Sequence, residues 1–521
     1  QRIFHKFEPH ALSKPMKRIL FLVLLLTFGW STYTQASHLM GGEITWECFK
    51  TGPNSGKFQF KVKLYRDCNG VQGPGALTLS TNAPGWGGGI PCALQTQTDI
   101  SPVGPGCPTC LNPQGYANAV EEFVYLSAPI NITGVPPAGG WYFAYTDCCR
   151  NGAITNLAAG SGWFTLRAIM FPYNATNTNP CYDSSPQFAE RPQLSTCTGN
   201  TTSYNHNAID TDLDSLVYDW GRPLDNTPFP GSTTNYPYNP NYTYNSPLPG
   251  PAQNAGNIAA VMNPINGVVT FTSFTAGAFV TVTKVTAYKC NIKVAEVYRE
   301  IQIALIAGCI ISPVLGNNTP PDVTDALLNP ISQIIDTVYA GDTVELDLFG
   351  QDFEAQAPGA APLVFQQIAL SATGPMFGTN FTNEAAGCPY PPCAVINSFT
   401  NQPTGLMDTV PPIAPKFFPG FISFRFRWIT DCNHLDKTLG CITAKSVYNF
   451  VFKVFDNFCP SPAVNFNTLT IVVLAPPPVG GARMKCADVL PNGNVNLTFL
   501  PPVDTGEADT NQFFKKFYVY R

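Results

Sequence analysis

The sequence predicts an all-β fold of tandem β-sandwiches, Ig-like or cadherin-like, strung as beads behind a cleaved leader. Three observations lead there. Only 12% of the 521 residues are charged, while Gly (43) and Pro (49) are abundant. Short apolar runs alternate with polar residues between turn-rich stretches, the pattern of half-buried strands. Aromatic residues reach 12%, enough to fill real cores, so the chain is not a disordered one. By length, about three or four domains are expected. The net charge is −5 and no basic stripe is visible, so nucleic acid is not an expected partner. Seventeen cysteines suit an oxidising compartment, and their odd number leaves at least one without a partner in this chain.

Residues 1–15 precede a better start and read as upstream, non-structural sequence. Met16-Lys17-Arg18 is basic, Ile19 to Phe28 is apolar, and Thr34-Gln35-Ala36 ends on a small residue. Residues 16–36 therefore read as a signal peptide cut after Ala36. The apolar run falls short of the roughly 20 residues a spanning helix needs, so no transmembrane span is expected in the mature chain. The chain begins without Met and stops inside the strand-like Phe517 to Arg521, and is expected to be a fragment of a longer protein.

Residues 37–190 are expected to form the first sandwich, with long loops. Phe58, Phe60, Val62 and Leu64 alternate with polar residues, as in a hairpin strand with one wet face. Further strands are expected at 123–126, 141–146 and 163–170, with a glycine-rich loop between Gly70 and Pro113. Cys181 and Cys197 bracket the passage to a second sandwich, 197–309. That unit holds an acidic stretch, Asp210-Thr211-Asp212-Leu213-Asp214, then a strand from Ser215 to Trp220. A Pro/Asn/Tyr-rich insertion follows, Arg222 to Gly256, and strands resume at 267–274, 279–288 and 297–306. Ile301, Ile303 and Leu305 alternate there. The Asn317-Asn318-Thr319-Pro320-Pro321 joint opens a third sandwich, 317–474. In it Val344, Leu346 and Leu348 alternate, and an acidic turn recurs at Asp352 and Glu354. Ala475 to Val479 is a stiff proline linker. Residues 479–521 open like a fibronectin type III module, with strands at 494–500 and 513–520.

Several stretches carry a more specific likeness. These are Gly41-Gly42-Glu43-Ile44-Thr45, Leu64-Tyr65-Arg66-Asp67-Cys68, Tyr145 to Asn151, Ser184 to Phe188, Tyr204 to Asp210, and Trp428 to His434. Together they resemble the N-terminal region of large Bacteroidetes surface proteins. Proteins of that kind carry a gliding-motility-associated, type IX secretion (type B) sorting domain at the far C-terminus. The resemblance implies export through outer-membrane machinery, although no sorting domain occurs in this sequence. The second and third units resemble cadherin-like sandwiches, without the strict cadherin linker motif.

Asp210, Asp212 and Asp214 are candidate Ca²⁺ ligands, because crowded carboxylates repel and a hard cation relieves them. The plain alternative is a turn that uses Asp for local backbone hydrogen bonds. Asp352 and Glu354 form a second, weaker candidate, and Asp456-Asn457 a weaker one again. Bound Ca²⁺ would be structural, as the cadherin resemblance implies. Cys107-Pro-Thr-Cys110 has redox spacing but lacks a βαβ context, and a zinc site would need a second pair, so disulfides are expected. His38, His206 and His434 stand outside any Gly-x-Ser-x-Gly or His-Glu-x-x-His setting and read as structural. Paired carboxylates for glycoside hydrolysis stay open, since partners can lie far apart, but nothing marks a pair. Tyr236, Tyr238, Tyr242 and Tyr244 could stack on glycans or pin the insertion to its own sandwich, and pinning is favoured.

The function expected is that of a non-enzymatic, modular cell-surface or secreted protein, an adhesin-like stalk or scaffold stiffened by disulfides and Ca²⁺. Its ligand would be an extracellular protein or glycan. The alternative is the carbohydrate-binding part of an exported glycan-active enzyme whose catalytic domain lies outside this chain.

Overall fold

The computed structural model describes residues 39–103, 107–113, 119–148, 150–158, 163–173, 181–225, 235–309, 319–352, 354, 366–398, 417–435, 445–459, 461–476, 483–490 and 494–500. The leader, His38, the Phe513–Tyr520 strand and part of the proline joint lie outside the described residues. No described helix is long and apolar enough to cross a membrane.

The described chain is all-β. The first strands are β1 (Leu39–Cys48), β2 (Phe58–Asp67), β3 (Ala76–Thr81), β4 (Ile90–Asp99), β5 (Val120–Ser127), β6 (Trp141–Asp147) and β7 (Phe164–Met170). Then come β8 (Gln187–Phe188), β9 (Ser195–Cys197), β10 (Thr201–Asn205), β11 (Ala208–Ile209), β12 (Ser215–Trp220), β13 (Ile258–Met262), β14 (Val268–Thr272), β15 (Gly277–Lys289) and β16 (Ile292–Ile306). The third region holds β17 (Asp322–Thr324), β18 (Gln333–Tyr339), β19 (Thr343–Gln351), β20 (Gln367–Thr373), β21 (Val395–Ser398), β22 (Phe417–Pro419), β23 (Phe421–Ile429), β24 (Lys445–Asp456) and β25 (Val464–Leu474). A final hairpin pairs β26 (Arg483–Val489) with β27 (Val495–Leu500).

The strand pairing runs through the boundary expected between 190 and 197. One sheet has the order β1-β2-β5-β4-β3-β6-β7-β16-β15-β12, and β1 also pairs with β16. On a single edge of β16, Ala295–Val297 pair with β7 and Ile301–Arg299 pair with Gly41–Glu43 of β1. Both ends of the β1–β7 run thus reach the same strand, and the sheet closes around Trp46, Phe60, Phe143 and Leu166. The expected first and second sandwiches are one interleaved body. The reason lies in β16, whose alternate positions Glu300 and Gln302 are buried along with Ile301 and Ile303. A pattern that normally means one dry face here has two, because Arg150 meets the Glu300 carboxylate at 2.8 and 2.9 Å.

The third region is a sandwich of β17-β19-β23-β21 on β18-β25-β24-β20-β22. Leu348, Phe424, Phe426 and Trp428 on one sheet pack with Phe450, Phe452, Val454 and Ile471 on the other. It is not strung out as a bead. Val451 and Phe466 share a core with Tyr204, Trp220 and Phe271 of the first body. Asn205 donates to Thr468 (3.1 Å), Asn207 to Thr373 (2.9 Å), and a Cys107–Cys459 disulfide crosses the junction. Burying those apolar faces removes water that separate beads would keep.

Candidate functional site

The acidic stretch lies where the two bodies meet. Asp210 Oδ1 accepts the amides of Asp212 (2.8 Å) and Asp214 (3.3 Å), an Asx turn that is closed by Leu213 at φ 64°. Leu213 reaches toward the third sandwich's core, and the Tyr390 hydroxyl donates to the Thr211 carbonyl at 3.0 Å. A cavity of about 390 Å³ opens beside the turn, with Asp210, Asp214, Leu216, Pro264, Val447 and Tyr448 in its wall.

The three aspartates part company. Asp212 pairs with Lys50 and accepts the Ser184 amide at 2.7 Å. Asp214 stands opposite Lys289, one step beyond the last strand pair, Ser215 with Tyr288. The Lys289 ammonium is 2.7 Å from Asp214 Oδ1 and 3.4 Å from Asp183 Oδ1. Among the described residues, no three carboxylates here bring their oxygens within 4.8 Å of one another.

Asp183 and Lys289 were not picked out from the sequence. Asp183 is placed by its own backbone: Trp46 Nε1 donates to its carbonyl at 3.2 Å, Ser185 exchanges bonds with Trp46, and Cys181 is tied to Cys48. Its carboxylate is 1% exposed, and neither oxygen has a hydrogen-bond partner. Lys289 did leave a signal. Val285 and Ala287 face the core, so period-two alternation points Lys289 inward as well. Burial and the neighbouring carboxylates push Asp183 and Asp210 well above the usual carboxylate range, and burial raises Asp214 too. Burial opposes the Lys289 charge, but Asp183 and Asp214 outweigh it and hold its proton above the ordinary lysine range.

A second acidic set ends the third sandwich. Asp352 and Asp456 are buried, and the Gln366 side-chain amide lies between them, 3.3 and 3.1 Å from their Oδ2 atoms. Asp456 Oδ1 accepts the amides of Phe458 and Ala463, and Glu354 accepts from Thr319. Burial pushes Asp352 up to about 6, holds Asp456 well above the usual carboxylate range, and raises Glu354.

The remaining candidates are architectural. His206 Nδ1 is 3.3 Å from the Arg299 guanidinium, and burial beside that charge holds it well below its usual range. His434 Nδ1 accepts the Asp431 amide (2.8 Å), which leaves Nε2 to donate to the Tyr390 carbonyl (2.7 Å). The CxxC cysteines part, Cys110 to Cys68 and Cys107 to Cys459. Tyr236 and Tyr242 are buried, with Tyr238 and Tyr244 packed against the same cores, so the insertion is pinned to the body.

No family model matches the chain, and no curated protein matches it. Among solved structures it aligns with the surface layer protein SbsC, domains 1-6, at 10% identity and TM-score 0.13, over 94% of this chain and 61% of that one. The S-layer protein rSbsC(31-844) aligns at 11% and 0.14, over 84% and 56%. Zebrafish RET cadherin-like domains 1 to 4 align at 7% and 0.14, over 69% and 65%. This chain thus spans less than two thirds of those structures, and at such TM-scores the likenesses carry no argument. The all-β assignment rests on the strand pairing itself.

Proposed function

We propose that this is a non-enzymatic exported protein of the cell surface or surroundings, an adhesin-like scaffold that holds a ligand-binding surface rigidly. The observation that carries the reading is the covalent and apolar fusion of its β units: Cys107–Cys459 joins residues 352 apart across a shared core. Disulfides of this kind belong to oxidising compartments. The resemblance to Bacteroidetes surface proteins supports delivery by outer-membrane export machinery. Calcium would act structurally; Asp352, Glu354 and Asp456 are the acids with no lysine within ion-pair distance, and there too no three carboxylates bring their oxygens within 4.8 Å of one another among the described residues. A cation there would offset the repulsion among buried acids.

The test incubates the exported chain with a panel of polysaccharides and extracellular proteins, with and without Ca²⁺. Binding without turnover is expected, together with a Ca²⁺-dependent rise in unfolding temperature that Asp352→Asn removes. Release of hydrolysis products would sink the non-enzymatic reading and favour the glycan-active alternative.

A further inference from the structure

We propose that the Asp183–Asp214–Lys289 cluster is an autocatalytic cross-linking site, at which the Lys289 amine condenses with the Asp214 carboxyl to form an intramolecular amide between the end of β15 and the turn that leads into β12. The inference goes beyond the scaffold reading and does not depend on it.

The geometry carries it. Lys289 Nζ lies 2.7 Å from Asp214 Oδ1, so the carboxyl carbon is one bond further. That is the range of a near-attack arrangement, in which proximity replaces a bimolecular encounter. Both side chains are almost fully enclosed, at 5% and 0% exposure. Asp214 is fixed by the Asx turn and Lys289 by the strand register, so the approach is built into the backbone. Asp183 stands beside them with both oxygens free of hydrogen bonds and 3.4 Å from the amine. A buried acid whose oxygens accept no hydrogen bond is costly in a purely structural role. Beside an amine and a carboxyl that must exchange protons, it is a general acid–base.

The chemistry balances without a co-reactant. Lys289 begins as an ammonium and passes one proton to Asp183, which leaves a neutral amine. The nitrogen lone pair attacks the Asp214 carboxyl carbon and the N–C bond forms. The C–O bond to one oxygen then breaks, and that oxygen leaves as water. Its two protons come from the carboxyl of Asp183 and from the nitrogen. One ammonium and one carboxylate become one neutral amide and one water, with no change in oxidation state. Burial favours this direction, because a desolvated ion pair is expensive and a neutral amide is not.

The exported wild-type chain, reduced and alkylated, is to be measured by intact mass and by tryptic mapping. The expected mass is one water below that of the sequence, and the expected map has a branched peptide joining Lys289 to Asp214 with no cleavage at Lys289. Lys289→Arg and Asp183→Asn should each return the full mass. A wild-type chain at full mass with a linear peptide ending at Lys289 overturns the proposal, as does a water loss that maps elsewhere. A cation held by these carboxylates instead would give that full mass. Water loss that persists in Asp183→Asn would overturn the role given to Asp183. None of these results depends on ligand binding, so failure here is distinct from failure of the scaffold reading.

Discussion

Arg299 is fully buried, and what it touches explains why polar residues recur in the sequence landmarks. Its guanidinium pairs with Glu43, donates to the Glu190 carbonyl at 2.8 Å and lies over the Phe188 ring. Burial would raise Glu43, but Arg299 and Lys63 outweigh it and hold the carboxyl low. That contribution is present above the usual glutamate range and is lost as pH falls through the lowered value. Glu43→Gln strands a buried guanidinium and should cost about 3–5 kcal/mol in urea unfolding; a loss below about 1 kcal/mol would mean that Arg299 has other adequate partners. Asp352 has the opposite sign. Raised from 3.8 to about 6, it binds a proton more readily in the folded chain, so stability drains away as pH rises between those values. Without Ca²⁺, Asp352→Asn should unfold at a higher temperature than wild type at pH 7 and show little difference at pH 4. Equal midpoints at both pH values would remove the buried charge from the account. At this scale the sequence spoke only in part. The Asx turn at Asp210 was legible, because its partners are two and four residues away. Asp183 was not, because its neighbours come from distant strands.

Elements were legible where one face is dry, as at Phe58, Phe60, Val62 and Leu64, which all point into the core. They misled where both faces are dry. Ile301, Ile303 and Leu305 alternate as if on one dry face, yet Glu300 and Gln302 between them are buried too, and β16 is the strand on which the sheet closes. In the Arg222–Gly256 insertion the described part from 235 on is pinned, as expected, since tyrosines among prolines bring their own apolar area to the body. Closure of the sheet makes a further demand on β1. At Gly41, with φ 156°, an added Cβ would lie 2.1 Å from the Glu300 carbonyl oxygen. Neither strand can yield, because β16 is paired on both edges. Gly41→Ala should therefore lower stability by about 2–4 kcal/mol, near the upper end of single substitutions. A change within about 0.5 kcal/mol in chemical unfolding would show that β1 does not sit against β16 as described.

At the scale of the described sandwiches, a shared core and a disulfide join the third sandwich to the first body. The sequence suggested separate beads because the proline joint and the repeated acidic turn mark unit boundaries, whereas docking surfaces carry no local signature. Phe466 and Val451 look like ordinary strand residues, and only the fold reveals that they cover Tyr204 and Phe271. The Cys107–Cys459 link and the shared core make separable predictions. A disulfide stabilises mainly by restricting the unfolded chain, so replacing both cysteines with serine should lower the midpoint by the equivalent of about 2–4 kcal/mol. It should not split the transition. Asn205, Asn207, Glu190 and Ser195 keep their bonds to Thr468, Thr373, Lys453 and Ser461, and the apolar contact stays dry. A single calorimetric transition in the double variant, shifted downward, is the expected result. Two transitions would mean that the disulfide alone keeps the third sandwich seated, and that the units are beads after all once it is gone.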